Sequence, residues 1–180
     1  MIVNLTQKER TLLEDQKSHE EICIKKYTQY SNLASCSELK NLFQNHATSE
    51  RSHLDSINQL LSGQLPNVNS QSGGGQGGSS QGQSPGGQTS SMAGGQSSAM
   101  DGMHAQASQG QTSQGPITDK DLCTDLLMTE KYVSNTYNTA IFEFTDPQVR
   151  DVLNHIQKEE QKHGESIFKY MESKGLYQAQ

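Results

Sequence analysis

Hydrophobic residues recur at alternating intervals of four and three positions in four separate stretches of this chain. This spacing puts them on one face of an α-helix, so it predicts four helices that each bury one stripe. The first stretch predicts a helix from about residue 7 to 33, and the second from about residue 38 to 61. The third helix is predicted to begin after Thr118 as its N-cap, and the fourth with Pro147 in its first turn. Gly175 is the predicted stop of the fourth helix.

Each buried stripe also contains ionisable side chains at positions where an apolar side chain belongs. The first and third stripes are Leu13, Glu20, Cys23, Tyr27, Tyr30 and Ala34, and Cys123, Leu126, Glu130, Val133, Tyr137, Ala140 and Phe144. The second and fourth are Leu39, Phe43, His46, Glu50, His53, Ile57 and Leu60, and Val149, Leu153, Ile156, Glu160, His163, Ile167 and Tyr170. Burying an unpaired carboxylate costs several kcal/mol, so four glutamates in one core indicate a cation among them.

The second pair of predicted helices repeats the first pair. Shifting the C-terminal segment back by 110 positions aligns the two pairs without a gap. The coinciding residues include Glu20 and Glu130, Tyr27 and Tyr137, Glu50 and Glu160, and His53 and His163. A short break inside each pair predicts an antiparallel hairpin. The two glutamates of a pair are equally far from that break, so each hairpin should bring two glutamates and one histidine to one level.

Two Glu-x-x-His sequences, "ERSH" at 50–53 and the end of "EEQKH" at 159–163, complete a candidate metal site. The candidate ligands are Glu20, Glu50, His53, Glu130, Glu160 and His163. This set resembles the di-iron or di-manganese site of the ferritin-like superfamily. The resemblance implies an all-α, ferritin-like four-helix bundle made of two repeated hairpins, and two Fe or Mn ions. The alternative is that these residues pair as Glu–His hydrogen bonds without metal.

Residues close to the candidate ligands are interpreted more simply. Glu159 coincides with a serine in the repeat, so it is predicted to be solvated. His46 faces the core and is interpreted as a packed histidine, or one that supports a ligand. Tyr27 and Tyr137 are interpreted as packing residues, with a redox role as the alternative. Gly164 disfavours a helix by about 1 kcal/mol, which the close approach of a neighbouring helix would explain.

The stretch from Gly63 to Gly115 differs in composition from the rest of the chain. It holds 14 of the 16 glycines, lacks Lys and Arg, and has Asp101 as its one acid. Such a segment cannot bury enough apolar surface to fold, so it is predicted to be a disordered Gly/Gln/Ser-rich linker. The predicted organisation is a hairpin at 1–62, a linker at 63–116 and a hairpin at 117–180. A flexible linker of this length spans roughly 40 Å, the crossover that a ferritin-like bundle needs.

Charge and cysteine content exclude several classes of protein. The net charge of -6 argues against nucleic acid as a partner, because phosphate binding needs a basic surface. No apolar run is long enough for a membrane span, and the N-terminus lacks the pattern of a secretory signal. The three cysteines have no CxxC spacing, which disfavours a zinc site or a disulfide framework. Synthesis and folding in a reducing cytoplasm are therefore expected.

The C-terminal segment resembles the spore coat protein F family of endospore-forming Firmicutes. The resemblance rests on "YNTAIFE" at 137–143, the Pro-x-Val-Arg sequence at 147–150, "IFKYM" at 167–171 and "KGLY" at 174–177. It implies a helical protein made in the mother cell, located in the spore coat, with coat proteins or its own copies as partners. The predicted function is therefore a spore coat protein with a di-metal site. The alternative is a di-metal oxidoreductase, similar to rubrerythrins or manganese catalases, acting on peroxide or oxygen.

Overall fold

The structure is a computed structural model, and it describes residues 3–67 and 116–177. These residues form four α-helices: α1 Gln7–Leu33, α2 Ser37–Leu61, α3 Asp119–Ile141 and α4 Pro147–Ser173. The bounds of α1 are those predicted, and α2 begins one residue earlier than predicted. The all-α prediction is confirmed. Most of the predicted linker, from residue 68 to 115, lies outside the described residues.

Helices α3 and α4 begin where the sequence predicts. Thr118 accepts a hydrogen bond from the backbone N–H of Asp121, whose carboxylate in turn accepts from the backbone of Thr118. Before α4, the side chain of Asp146 accepts from the N–H of Gln148, and Pro147 occupies the first turn. Each arrangement satisfies an N–H group that the helix itself leaves without a partner.

The end of α4 is also the predicted one. Gly175 has a φ of 66°, a left-handed conformation that a residue without a Cβ adopts easily. This turn lets the N–H of Leu176 donate to the carbonyl of Met171 at 2.8 Å. Gly63 ends α2 in the same way, with a φ of 81°. Both helices therefore stop at a glycine that closes the last turn.

Each predicted hairpin forms, and the two hairpins pack side by side. Helix α1 packs on α2 and α3, and α4 packs on α3 and α2. Lys26 contacts Asp125 while Gln16 contacts Thr136, so α1 and α3 run antiparallel. The start of α3 lies near the end of α1, where Asp119 accepts from the backbone N–H of Ser35. Because α2 is antiparallel to α1, it ends at the opposite end of the bundle from the start of α3.

The core consists of the predicted stripes. Every stripe residue is buried except Tyr30 and Ala34, which are partly buried near the end of α1. Burial of the apolar members supplies most of the folding free energy. Among the residues described, no helix combines the length and the apolar character needed to cross a membrane.

The hairpins hold one another's turns through two equivalent contacts. The buried carboxylate of Glu9 accepts hydrogen bonds from the N–H and hydroxyl of Thr145 at 2.8 and 3.0 Å. At the other end of the bundle, Asp119 accepts from the N–H of Ser35 at 2.9 Å. The shift of 110 positions converts the first contact into the second. The sequence repeat is therefore also an approximate twofold relation between the packed hairpins.

Candidate metal centre

The six candidate ligands lie together in the middle of the bundle. Two groups could each hold a metal ion, and within each group the ligand atoms lie within 4.8 Å of one another. The groups are Glu20, Glu50, His53 and Glu160, and Glu50, Glu130, Glu160 and His163. Glu50 and Glu160 belong to both groups, so their carboxylates lie between the two positions.

The helices place these side chains by simple spacing. Glu50 and His53 are three residues apart on α2, as Glu160 and His163 are on α4, which puts each pair on one helix face. Glu20 on α1 and Glu130 on α3 come from the helices that pack against them. Each hairpin thus brings two glutamates and one histidine together, as the equal distances from the turns predict.

Each histidine directs its Nδ1 atom at three carboxylates. Nδ1 of His53 lies 2.9 Å from Glu160 Oε1, and also 3.3 Å from an oxygen of Glu50 and 3.7 Å from one of Glu20. The nearest carboxylate is thus the one supplied by the other hairpin. Nδ1 of His163 makes the matching contacts, and its shortest is 2.9 Å to Glu50 Oε1. The remaining two are 3.5 Å to Glu160 and 3.9 Å to Glu130. The two halves of the centre are therefore related by the same twofold relation as the hairpins.

Most of the carboxylate oxygens in the centre make no hydrogen bond of good geometry. All four glutamates are buried, with at most 2% of their surface exposed. Five of their oxygens make no hydrogen bond of good geometry with the described residues: Glu20 Oε2, Glu50 Oε1, Glu130 Oε2, and both Oε1 and Oε2 of Glu160. Two of these five, Glu50 Oε1 and Glu160 Oε1, nevertheless lie 2.9 Å from a histidine Nδ1. A buried polar atom without a partner is unfavourable by about 1–3 kcal/mol, and more when it is charged. The other three oxygens are distributed over both groups and fit the ligand set of two cations.

Protons balance the charge of the centre when only side chains are present. Burial and the neighbouring carboxylate of Glu160 raise the pKa of Glu20 and Glu130 well above their usual value, which favours the neutral acid at both positions. Burial also favours neutral Glu50 and Glu160, but the imidazoles of His163 and His53 outweigh it and lower the pKa of both glutamates.

The histidines of the centre carry the opposite charge. Burial disfavours imidazolium, but the carboxylates around them outweigh it. They raise the pKa of His53 well above its usual value and that of His163 to about 9. Two imidazoliums then neutralise the two carboxylates that remain ionised. The raised pKa values thus favour protons on Glu20, Glu130 and both imidazoles, and two divalent ions in place of these four protons would give the same total charge.

Two tyrosines contact the centre across the hairpins. The hydroxyl of Tyr27 on α1 donates to Glu130 on α3, and that of Tyr137 on α3 donates to Glu20 on α1. Burial raises the pKa of both tyrosines well above its usual value, so both hydroxyls keep their protons. They therefore do more than pack. In the sequence, the signal for this role was that the two tyrosines coincide in the repeat. The contacts themselves were not predicted, because the sequence did not show that α1 lies beside α3.

His46 lies beside the centre and belongs to neither group. Its ring stacks on that of His163 with 4.4 Å between centroids, and its Nε2 lies 2.8 Å from the hydroxyl of Ser166. Burial and the neighbouring His163 lower its pKa to about 3, so its imidazole stays neutral. This position agrees with the interpretation of His46 as a histidine that supports a ligand.

Glu159 points away from the centre, as the repeat predicted. Its carboxylate lies 2.5 Å from Nζ of Lys162 on the outer face of α4. Glu160, the next residue, is fully buried among the ligands. Of the two glutamates in "EEQKH", the one that lies in the centre is therefore Glu160.

Comparison with known proteins concerns the C-terminal hairpin. Residues 118–180 match the family model described as the Coat F domain. No curated protein matches the chain. The family match confirms the resemblance found in the sequence and supports a spore coat protein. It begins at the N-cap of α3, so the N-terminal hairpin lies outside it.

Proposed function

We propose that this chain, whose residues 118–180 match the Coat F domain model, is a spore coat protein whose bundle holds two divalent metal ions. The proposed ions are iron or manganese, and the ligands are the six clustered side chains. The observation that supports the metal site is the cluster of four buried glutamates, in which Glu20 Oε2, Glu130 Oε2 and Glu160 Oε2 lack a hydrogen-bond partner among the described residues. Carboxylate and imidazole donors suit both metals, and neither group contains a thiol.

The arrangement of ligands suggests what the ions would do for the fold. Each group draws on both hairpins, because Glu160 joins the group of His53 and Glu50 joins that of His163. Binding there would tie the hairpins together and stabilise the folded chain. The ligand set takes one glutamate from each of two helices and a Glu-x-x-His sequence from each of the other two. This pattern also supports the ferritin-like expectation. Two bound Fe or Mn ions would add redox chemistry at a buried position.

A second function, that of a di-metal oxidoreductase acting on peroxide or oxygen, is favoured by a different observation. A cavity of about 580 Å³ between α3 and α4 is lined by both Glu130 and Glu160. A purely structural metal site needs no such opening. Peroxide consumption by the metal-loaded protein tests this function, and equal consumption by a variant without the ligands would reject it.

Elemental analysis tests the metal site. We expect about two equivalents of Fe or Mn per chain purified from supplemented cells. The double variant Glu160→Ala/His163→Ala should lose them, whereas Glu159→Ala, changed at the neighbouring outward-facing carboxylate, should keep them. Less than about half an equivalent in the unmodified protein would reject the metal site.

Fractionation of spores tests the proposed location. We expect the protein in the coat extract, together with coat proteins or further copies of itself as partners. Recovery from the spore interior with none in the coat extract would reject the proposed location without affecting the metal site.

A further inference from the structure

The cavity between α3 and α4 reaches the proposed metal ligands from one side of the bundle. Glu130 and Glu160 both line it. Its walls include Leu127, Ser134, Gln157, Gln161, Gly164 and Phe168. The other two clustered glutamates do not line it. Two buried glutamates of the centre are therefore part of the wall of a cavity in the C-terminal hairpin.

Gly164 keeps this opening clear. It follows His163 directly on α4, and the matching residue on α2 is Leu54. A Cβ at position 164 would lie 3.7 Å from Glu130 Cβ and 3.7 Å from Leu127 Cδ1, which is ordinary contact. The expected close approach of a helix therefore does not require glycine here. A longer side chain would instead project beside Glu130 and fill the cavity.

The N-terminal hairpin is covered at the matching place. Arg51, which coincides with Gln161, donates to the carbonyl of Ala47 and to the hydroxyl of Thr28 on α1. This guanidinium crosses the groove between α1 and α2, and Leu54 is half-buried. The smaller cavity described on that face, about 260 Å³, is lined by none of the six candidate ligands. The two hairpins therefore differ in the side chains that cover the candidate ligands.

The cavity is large enough for a hydrated cation. Six waters at about 30 Å³ each occupy about 180 Å³, well below the 580 Å³ present. Amide side chains at Asn135, Asn138 and Gln161 offer oxygen atoms along the walls, which also include Lys131, and Glu130 and Glu160 line the cavity beside the centre. Oxygen donors of this kind can replace the waters of a divalent ion stepwise.

From this geometry we infer that the α3–α4 cavity is the access route for divalent cations to the carboxylate–histidine centre, and that Gly164 keeps it open. The inference rests on the proposed metal site and adds the direction of loading. Cations reach Glu130 and Glu160 first, through the C-terminal hairpin. The position nearest Glu20 is then filled through the carboxylates that the two groups share.

Stopped-flow mixing of the metal-free full chain with Co²⁺ tests the route, with visible absorbance reporting binding. Gly164→Leu should slow uptake by about tenfold or more, because its side chain fills the cavity. The number of ions bound at equilibrium should stay that of the unmodified protein. Gly164→Ala is the matched control and should load within about twofold of the unmodified rate, since its methyl group makes ordinary contacts.

A second variant, which fills the cavity from α3, keeps the route testable if Gly164→Leu does not fold. Ser134→Phe keeps the backbone carbonyl that accepts from Gln157 at 3.0 Å, and it should slow uptake as well. Unchanged uptake rates in folded Gly164→Leu and Ser134→Phe would overturn the route while leaving the metal site intact. Absence of Co²⁺ binding by the unmodified chain would overturn the route together with the metal site.

Discussion

The position after the candidate ligand histidine is Leu54 in the N-terminal hairpin and Gly164 in the C-terminal hairpin. At the ligands themselves, the hairpins agree in residue type, spacing and depth of burial. They also agree at the tyrosines and at the contacts that hold each other's turns. The agreement is therefore strongest where one hairpin touches the other.

The hairpins differ where each meets the solvent or packs beside the centre. A cavity opens above Glu130 and Glu160, while Arg51 crosses the equivalent groove over α2. His46 stacks on His163, whereas the residue that coincides with it is Ile156. The centre is thus symmetric in its ligands and asymmetric in its surroundings. Each prediction below tests one side of that comparison.

The largest expected effect is on metal content, and it should distinguish the carboxylates that belong to both groups from those that belong to one. Glu160→Gln and Glu50→Gln each remove a ligand from both groups, so each should reduce metal content from about two equivalents to nearly none. Glu20→Gln and Glu130→Gln each affect one group and should leave about one equivalent. Elemental analysis of the four purified variants measures this. Equal losses in all four would contradict the assignment of shared and separate ligands.

The stability of the metal-free protein should fall as pH rises. The pKa of His163 is raised from 6.5 to about 9, so its stabilising effect is complete below pH 6.5 and disappears as pH rises through about 9. Loss of protons from Glu20 and Glu130, whose pKa values are also raised, acts in the same direction. We expect a decrease on the order of 2–3 kcal/mol in the free energy of unfolding.

Metal should reverse this dependence, because it binds the deprotonated ligands. Urea denaturation at pH 6.5 and pH 9, with chelator or with Mn²⁺, measures both effects. The stabilisation by Mn²⁺ should be larger at pH 9. The Glu159→Gln variant should show the same pH dependence as the unmodified chain, since its carboxylate lies outside the centre. Greater stability of the metal-free protein at pH 9 than at pH 6.5 would contradict the charge balance described for the centre.

The sequence predicted the elements whose cause is local. Helix α1 has the predicted bounds because Thr6 and Glu9 form a capping box and the apolar stripe continues to its end. The grouping of Glu20, Glu50 and His53 followed from helical spacing and from equal distances to a turn. Contacts between hairpins could not be obtained in this way, since the repeat does not show which helices are neighbours. The bond from Tyr27 to Glu130 and the cavity beside Gly164 depend on that packing.

The tyrosines test whether the two hairpins contribute equally. Tyr27→Phe and Tyr137→Phe each remove a hydroxyl that donates to a buried glutamate of the other hairpin. Each should reduce the free energy of unfolding of the metal-free protein by about 1–3 kcal/mol. Urea denaturation in chelator measures the loss. Tyr132→Phe, at a residue with 60% of its surface exposed, is the control and should change stability by less than about 0.5 kcal/mol.

A loss from Tyr27→Phe or Tyr137→Phe no larger than that from Tyr132→Phe would show that these hydroxyls do not support the centre. A large loss of stability from one of these variants and none from the other would instead mean that the twofold relation holds for the geometry of the hairpins but not for their stability. This second result would show that the two hairpins share a backbone arrangement without contributing equally to stability.

The contacts at the two turns should show the smallest effects, and they should be unequal. Glu9 and Asp119 are equivalent in the repeat, but Glu9 is 2% exposed while Asp119 lies at a partly exposed position. Burial acts to raise the pKa of Glu9, but hydrogen bonds from Thr145 and Thr6 outweigh it and lower the pKa. We therefore expect Glu9→Ala to be unfavourable by about 1–2 kcal/mol and Asp119→Ala by about 0.5 kcal/mol.

Urea denaturation at pH 7 compares Glu9→Ala and Asp119→Ala directly, and repeating it at acidic pH separates charge from packing. The lowered pKa means that the ionised Glu9 contributes stability above about pH 4.5, and this contribution is lost as pH falls further. The difference between unmodified protein and Glu9→Ala should therefore shrink at low pH. Equal losses from both variants at pH 7 would mean that solvent screens the two contacts alike, despite the different burial of the two carboxylates.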